Sequence, residues 1–482
     1  MSSIARARRA LSTRDFRLLL ASRLVSQLGD GLFQAVLVTV LVFLAPEEQD
    51  TAAGLAKATF ILVVPFSLVG PIAGVLIDRW SRRRILTFTP LVRAAAALAI
   101  IPLAGESWVL YGFALVVTSL NRFFLATASA SLPRVVMEED LLVANSMAAV
   151  GGTTITLGGF LLGTQVADPD VIGHEPLLIA MGVLYAVASL SASRIRTPLR
   201  ADGAPARALA SIAGHVRDLA AGLRRLRATP PALASIVTLS LDQVLVGTVT
   251  ALSLVVFKDR FQEGVASYGR IVGAGGVGIL AGIATVGWFE PRMAKAKIVR
   301  LGFLLAGAVC LAAAPVITGP VLLAVSFTLG LTFAYRKIPA DTIVQESVPD
   351  RYRGRVFAVY DLTYGLARPV GVALSIPLIP NLSTGALIAV IGAVYVALGP
   401  LVPWWVARPR RVEVRFHAGG RADEVPRALV VGGEEEPVEL ESSALVEVDG
   451  ERRRRLRLRA EDGNLIEVWA PEGSENWIVS RW

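Results

Sequence analysis

The sequence predicts an all-α membrane protein. Twelve transmembrane helices form two pseudo-symmetric six-helix halves, and a small C-terminal cytoplasmic β-domain follows them. Three observations carry this reading. Hydrophobic residues make up 54% of the 482 and charged residues only 18%, where a soluble protein of this size carries about 25% charge. Apolar runs of about 20 residues, long enough to cross ~30 Å of hydrocarbon, recur along most of the chain. The loops between those runs alternate in charge, as positive-inside topology requires.

The predicted spans are 16–44, 54–77, 85–104, 107–131, 143–166, 175–192, 232–256, 267–289, 298–317, 319–338, 355–378 and 385–406. The first is too long for a signal peptide and lacks a small-residue cleavage site. Arginines crowd before span 1 (Arg6, Arg8, Arg9, Arg14), after span 2 (Arg79, Arg82, Arg83, Arg84) and through the linker after span 6. Arg292, Lys295 and Lys297 follow span 8, and Arg336, Lys337, Arg351 and Arg353 are read as the basic loop after span 10. The alternate loops hold mainly acids such as Glu47, Glu48 and Asp170, or neutral turn residues, and only Lys57, Lys258 and Arg260 break the pattern. This places both termini in the cytoplasm and the chain in the cell inner or plasma membrane.

The two halves are read from a repeat. Asp30 and Asp242 stand 212 residues apart, as do Asp78 and Glu290, Gly70 and Gly282, and Gly159 and Gly371. The acidic pairs weigh most, because acids are rare inside membranes. The halves are therefore 1–192 and 232–406, joined by a basic linker over 193–231. Within the linker, Ile212 to Leu226 reads as an amphipathic stretch whose apolar face would rest on the inner leaflet. From Val412 the pattern changes to period two, in segments such as VEVRFHA and NLIEVWA, with Asp449-Gly450 and Asp462-Gly463 as turns. Residues 412–482 therefore form a small soluble β-domain with no catalytic constellation. Charge divides the same way: net +15 over residues 1–411 and −6 beyond.

Residues 70–86 read GPIAGVLIDRWSRRRIL. Gly74, Asp78, Arg79, Arg82 and Arg83 make the pattern G-x-x-x-D-R-x-x-R-R, which resembles the loop 2–3 signature of the major facilitator superfamily. FRLLLASRLVSQLGDGLF (Phe16 to Phe33) and QESVPDRYRGRVFAVYDLTYGLARPVG (Gln345 to Gly371) resemble the superfamily's siderophore and macrolide exporters. The resemblance covers residues 16 to about 406. It implies two rocking bundles, alternating access and a small-molecule substrate. The second copy of the loop signature is degenerate, with Glu290 and Pro291 in place of Asp and Arg. The fifth span, GGTTITLGGFLLG, is similar to the glycine-rich antiporter motif without its proline.

Five residues are candidates for proton coupling and the central cavity: Asp30, Asp242, Arg122, Asp361 and Arg368. An ionised Asp in mid-membrane costs roughly 2.5–3.5 kcal/mol on insertion scales, so such acids face a cavity or a partner. Arg122 resembles the arginine of the antiporter fourth-span motif. Asp361 and Arg368 lie seven apart on one helix. A gating set comprises Gly74, Asp78, Arg79, Arg82, Arg83 and Gly354. In it Asp78 would accept from the N-terminus of span 11 near Gly354, while the arginines pair with loop acids or lipid phosphate.

Several classes are excluded. There is no P-loop, so ATP hydrolysis in this chain is not expected. Cys310 is the one cysteine and there are three histidines, so neither a disulfide framework nor a metal site is expected. The basic charge lies in short loops between spans, which argues against nucleic acid. The chain reads as a monomeric secondary transporter and not an enzyme, with no cofactor beyond a proton gradient. Proton-coupled export of a small amphipathic molecule is the expected activity. The alternatives are import of a nutrient or lipid, or a non-transporting membrane sensor or scaffold.

Overall fold

The computed structural model describes residues 3–40, 81–103, 107–167, 172–199, 208–256, 265–289, 291–401, 410–416, 425–431, 434–448, 451–460, 465–472 and 477–481. The first half contains α1 (Ser3–Ser12), α2 (Arg14–Val38), α3 (Arg82–Leu103), α4 (Ser107–Ser131), α5 (Leu141–Val166) and α6 (His174–Ser193). The linker holds α7 (Ala208–Arg227). The second half contains α8 (Pro230–Val255), α9 (Val265–Phe289), α10 (Lys295–Ala313), α11 (Gly319–Ser347), α12 (Asp350–Leu378) and α13 (Thr384–Leu398). Among the described residues, eight helices are long and apolar enough to cross a membrane: α3 to α6 and α8 to α11. The predicted second span falls outside the described residues.

Local chemistry sets several helix starts. Pro230 and Pro320 occupy first-turn positions, where the missing N–H has no intrahelical partner to lose. Ser383 caps α13, its hydroxyl accepting from the Ala386 N–H at 3.2 Å. Gly173 precedes α6 at φ 84°, a conformation that glycine adopts without a Cβ penalty.

The glycine pair Gly159 and Gly371 marks equivalent crossings. A Cβ on Gly159 would meet the Leu28 carbonyl of α2 at 2.5 Å, and one on Gly371 would meet the Val244 carbonyl of α8 closer still. The same helix pair thus closes each half backbone to backbone. Gly371→Val is expected to push α12 from α8 and cost about 1–3 kcal/mol of stability. Thermal unfolding of the purified protein checks this, and an unchanged midpoint would refute the crossing's importance.

Among the described residues, the two halves meet at one end. Gln165 of α5 donates to the Ala266 carbonyl of α9 at 3.1 Å. Gly269, Gly273 and Gly276 of α9 lie against Thr164, Leu161 and Leu157 of α5. Ala35 and Phe160 of the first half share a core with Leu252, Val256, Tyr268 and Ile271 of the second. All of these sit toward the C-terminal ends of α2, α5 and α8 and the N-terminal half of α9.

The linker helix departs from expectation. Leu226 is buried in the second half's core, with Leu219 packed against it. Gly222 lies on the Arg355 carbonyl of α12, and the Arg225 guanidinium stands 5.0 Å from the Tyr352 ring centroid. The apolar face of α7 therefore covers the start of α12 rather than a lipid leaflet.

Beyond α13, six antiparallel strands close a barrel: β1 (Arg410–Phe416), β2 (Pro426–Val431), β3 (Glu434–Val448), β4 (Glu451–Ala460), β5 (Leu465–Pro471) and β6 (Trp477–Arg481). β1 pairs with β6 to complete the ring. Alternate residues fill it, among them Leu456 and Leu458 of β4 and Ile466, Val468 and Ala470 of β5. Ala228, at the α7–α8 junction, packs against this barrel core. Both Asp-Gly pairs lie between strands but outside the described residues.

Candidate functional site

Asp30 lies inside the first bundle, 4% exposed. It forms an ion pair with Arg93 of α3 and accepts the Tyr185 hydroxyl of α6 at 2.9 Å. Arg93 donates to Ser26 at 2.9 Å and to the Tyr185 hydroxyl at 2.8 Å. Its guanidinium lies 4.1 Å from the Tyr185 ring centroid. Three helices are thus tied by one carboxylate, one guanidinium and one phenol.

Asp242 repeats this arrangement in the second bundle. It is fully buried, and Arg336 Nε stands 3.2 Å from its Oδ1. Arg336 also donates to Thr332 at 2.9 Å and to the Gly302 carbonyl at 3.3 Å. Tyr395 of α13 sets its hydroxyl beside Asp242, with the guanidinium 5.0 Å from its ring centroid. The acids are 212 residues apart and the tyrosines 210. The arginines break the repeat, since one comes from α3 and the other from α11. Arg336 falls at the end of predicted span 10 (319–338) and is read with the basic loop that follows it. Instead α11 runs on to Ser347 and buries that side chain at 1% exposure, because Asp242 supplies the counter-charge it needs.

A second polar region lies on α8, α11 and α12. Gly354, Ala358, Asp361 and Arg368 fall on one exposed stripe of α12, distinct from the apolar stripe of Leu366, Val370 and Leu374. Asp361 has no hydrogen bond or ion pair to another described residue, and Lys337 and Asp341 of α11 are its charged neighbours. Arg368 reaches Thr250 of α8 at 3.3 Å. In the first half, Arg23 of α2 donates to Gln27 at 3.3 Å and to Ser129 of α4 at 3.2 Å. Arg122, half-buried, lies two turns before Ser129 on the same face. The structure brings Asp361 together with Lys337 and Asp341, sets Arg368 beside Thr250, Tyr268 and Tyr364, and leaves Asp30 and Asp242 in separate internal pairs.

Gly74, Asp78 and Arg79 of the gating set lie outside the described residues. Arg82 donates to the Ala130 carbonyl at 2.8 Å and Arg83 to the Ser193 carbonyl at 2.5 Å. These are last-turn carbonyls of α4 and α6, where the helix dipole attracts a cation. The described partners of Arg82 and Arg83 are thus backbone carbonyls. Gly354, in the first turns of α12, is exposed with open space at its Cβ position.

Arg9 of α1 clamps onto the segment before α5, donating twice to Asp140 at 2.7 Å and once to Glu139 at 3.0 Å. The Arg9 hydrogen bond holds the Asp140 carboxyl below its ordinary 3.8. A lowered carboxylate stabilises the fold above that ordinary value, and its contribution is lost as pH falls through the folded-state value. Protection of α1 from hydrogen exchange, taken relative to the unfolded-chain rate at the same pH, is therefore expected to fall below pH 3.8, and Arg9→Gln to lower that protection already at neutral pH. Identical exchange in wild type and variant would remove the clamp.

Sequence reading missed Arg93, Tyr185, Arg336 and Tyr395 as partners, and Lys337, Asp341, Tyr360 and Tyr364 as a group. The signals were present: Lys337 and Asp341, and Tyr360 and Tyr364, are spaced i,i+4 and so share a helix face.

The model of the Major Facilitator Superfamily matches residues 49–372. An uncharacterised transporter of that type from Mycobacterium tuberculosis is 30% identical over 399 residues, spanning 80% of this chain and 89% of the relative. Macrolide efflux protein A of Streptococcus pyogenes is 25% identical over 71% of this chain and 84% of that protein. Among solved structures, a peptide transporter with bound sulfate superposes with a TM-score of 0.65 at 12% identity, covering 83% of this chain and 98% of that one. A nucleoside transporter gives 0.61 at 15% identity, covering 81% and 99%. The structural likenesses establish the fold alone.

Proposed function

This chain belongs to the major facilitator superfamily, and on that premise we propose that it is a proton-coupled exporter of a small amphipathic molecule, working by alternating access. It is a membrane transporter and not an enzyme. Export is supported by the match to macrolide efflux protein A across most of both chains. Coupling rests on Asp361, an accessible carboxylate on the exposed polar stripe of α12. In this proposal Asp361 carries the proton and Arg368, two turns on, answers its changing charge. Asp30 and Asp242, whose charges are already balanced, serve as anchors of the two bundles. Arg122 is the first half's candidate on the proton path.

The full proposal has twelve spans, with α2 to α6 and α8 to α13 as eleven of them and residues 54–77 as the second. Both termini, α7 and the barrel are cytoplasmic. The end where α5 meets α9 is then the outer one, and this conformation is closed outward. The reverse state would bring Asp78 to the N-terminus of α12 near Gly354. The test of orientation uses single cysteines in a Cys310→Ser background. A cysteine at Glu48 is expected to react from outside the cell and one at Ser211 only from inside. Labelling of both from one side would sink the twelve-span arrangement. Counterflow in oriented vesicles separates export from import. Truncation after Ala407 separates a transporter, which keeps activity, from a scaffold, which loses its partner.

A further inference from the structure

Lys337 turns its ammonium inward. Its Nζ is 5.0 Å from the Tyr360 ring centroid and 5.1 Å from that of Tyr364, and it forms an ion pair with Asp341. The two rings meet edge to face with centroids 5.5 Å apart. Both are fixed from behind. The Tyr360 hydroxyl donates to Asp341 at 2.7 Å, and Gln243 of α8 donates to the Tyr364 hydroxyl at 2.7 Å. Asp361 adds a second carboxylate within electrostatic reach.

Two π faces and two carboxylates around one ammonium make a cation cradle, since ring quadrupoles and carboxylates both favour positive charge. Lys337, Asp341 and Asp361 by themselves sum to one negative charge, and Arg368, within electrostatic reach of the Tyr364 wall, opposes it in part. The cradle is also open. The Lys337 and Asp341 side chains are 25% and 26% exposed, whereas the Arg93 and Arg336 pairs are sealed. A purely structural ion pair needs neither the aromatic walls nor the opening.

We propose that this cradle is the cation subsite for an amphipathic organic cation, and that Lys337 is its tethered occupant, holding the place until the ligand enters. The proposal rests on the transport reading above and names its substrate class. A cation entering the cradle and a proton arriving at Asp361 draw on the same negative charge, so the two exclude each other. Mutual exclusion is what exchange of one for the other requires. The displaced lysine has a flexible four-carbon stem that can carry its ammonium toward water.

The experiment measures equilibrium binding to the purified full-length chain by calorimetry. The probes are tetraphenylphosphonium and tetraphenylborate, alike in shape and opposite in charge. Lys337→Met removes the occupant and keeps the apolar stem, and is expected to bind the phosphonium about tenfold more tightly than wild type. Tyr364→Leu, which leaves the ion pair intact, is expected to weaken phosphonium binding, and Tyr364→Phe to retain it. If Lys337→Met does not fold, Lys337→Gln replaces it, and the Tyr364 pair reads the cradle independently. Equal phosphonium affinity in wild type and the Lys337 variant overturns the proposal. So does tighter binding of the borate than of the phosphonium, which would assign anion binding to arginines such as Arg23, Arg122 and Arg368. Binding needs no gradient, so such a result leaves the transport reading standing. That reading falls separately, if wild-type vesicles move no compound of a broad panel along a pH gradient.

Discussion

Arg336→Met will destabilise the protein by about 3–5 kcal/mol, because it strands the Asp242 carboxylate where no water can reach it. Asp242 is fully buried and Arg336 is 1% exposed, so neither partner has solvent as an alternative. Arg93→Met is expected to do the same to the first half, through Asp30. Pairing Arg336→Met with Asp242→Leu is expected to recover most of the loss, since an apolar replacement of a whole buried ion pair is often neutral or better. Thermal denaturation of the four proteins, including the double variant, checks this. If the single variant unfolds with the wild type, the pair is not an anchor. If the double variant is no better than the single one, the cost is packing and not stranded charge.

Asp361→Asn is expected to abolish accumulation driven by a pH gradient while leaving substrate exchange at zero gradient measurable. The amide keeps the shape of the protonated acid but can no longer release a proton, so the conformational change loses its link to the gradient. Vesicle transport with and without an imposed gradient decides it. Asp30→Asn serves as the comparison, because its effect should fall on stability and on both transport modes alike. Full gradient-driven accumulation by the Asp361 variant, with loss confined to Asp30→Asn, would assign the coupling role to Asp30 instead.

Much of the membrane architecture was legible because it rests on coarse physics. Apolar length needs no knowledge of neighbours, and helices α3 to α6 and α8 to α11 fall on the predicted runs. The repeat was legible through its acids and through Gly159 and Gly371, whose need for close backbone approach leaves a mark in sequence. What stayed hidden were choices of partner. Arg336 looks like a loop residue because it stands beside Lys337 at the end of an apolar run, and only Asp242 on another helix makes its burial tolerable. Arg82 and Arg83 were recognisable as a motif, but the carbonyls they bind carry no sequence signature at all. Tyr360 and Tyr364 read as ordinary span residues until Lys337 is seen between them.

The mismatch between the two arginines bears on ancestry. Moving Arg93 by the repeat distance lands on Leu305, a side chain 40% exposed on the surface of α10. If both halves descend from one six-helix gene, their common ancestor met its buried acid with a cation from one helix, and one copy later transferred that duty to another. The order of substitutions is constrained. Losing the old arginine first would leave a bare carboxylate in the core. Gaining the new one first leaves a redundant cation, which at an exposed position can bend toward the headgroups. The route through a doubly cationic intermediate is the passable one.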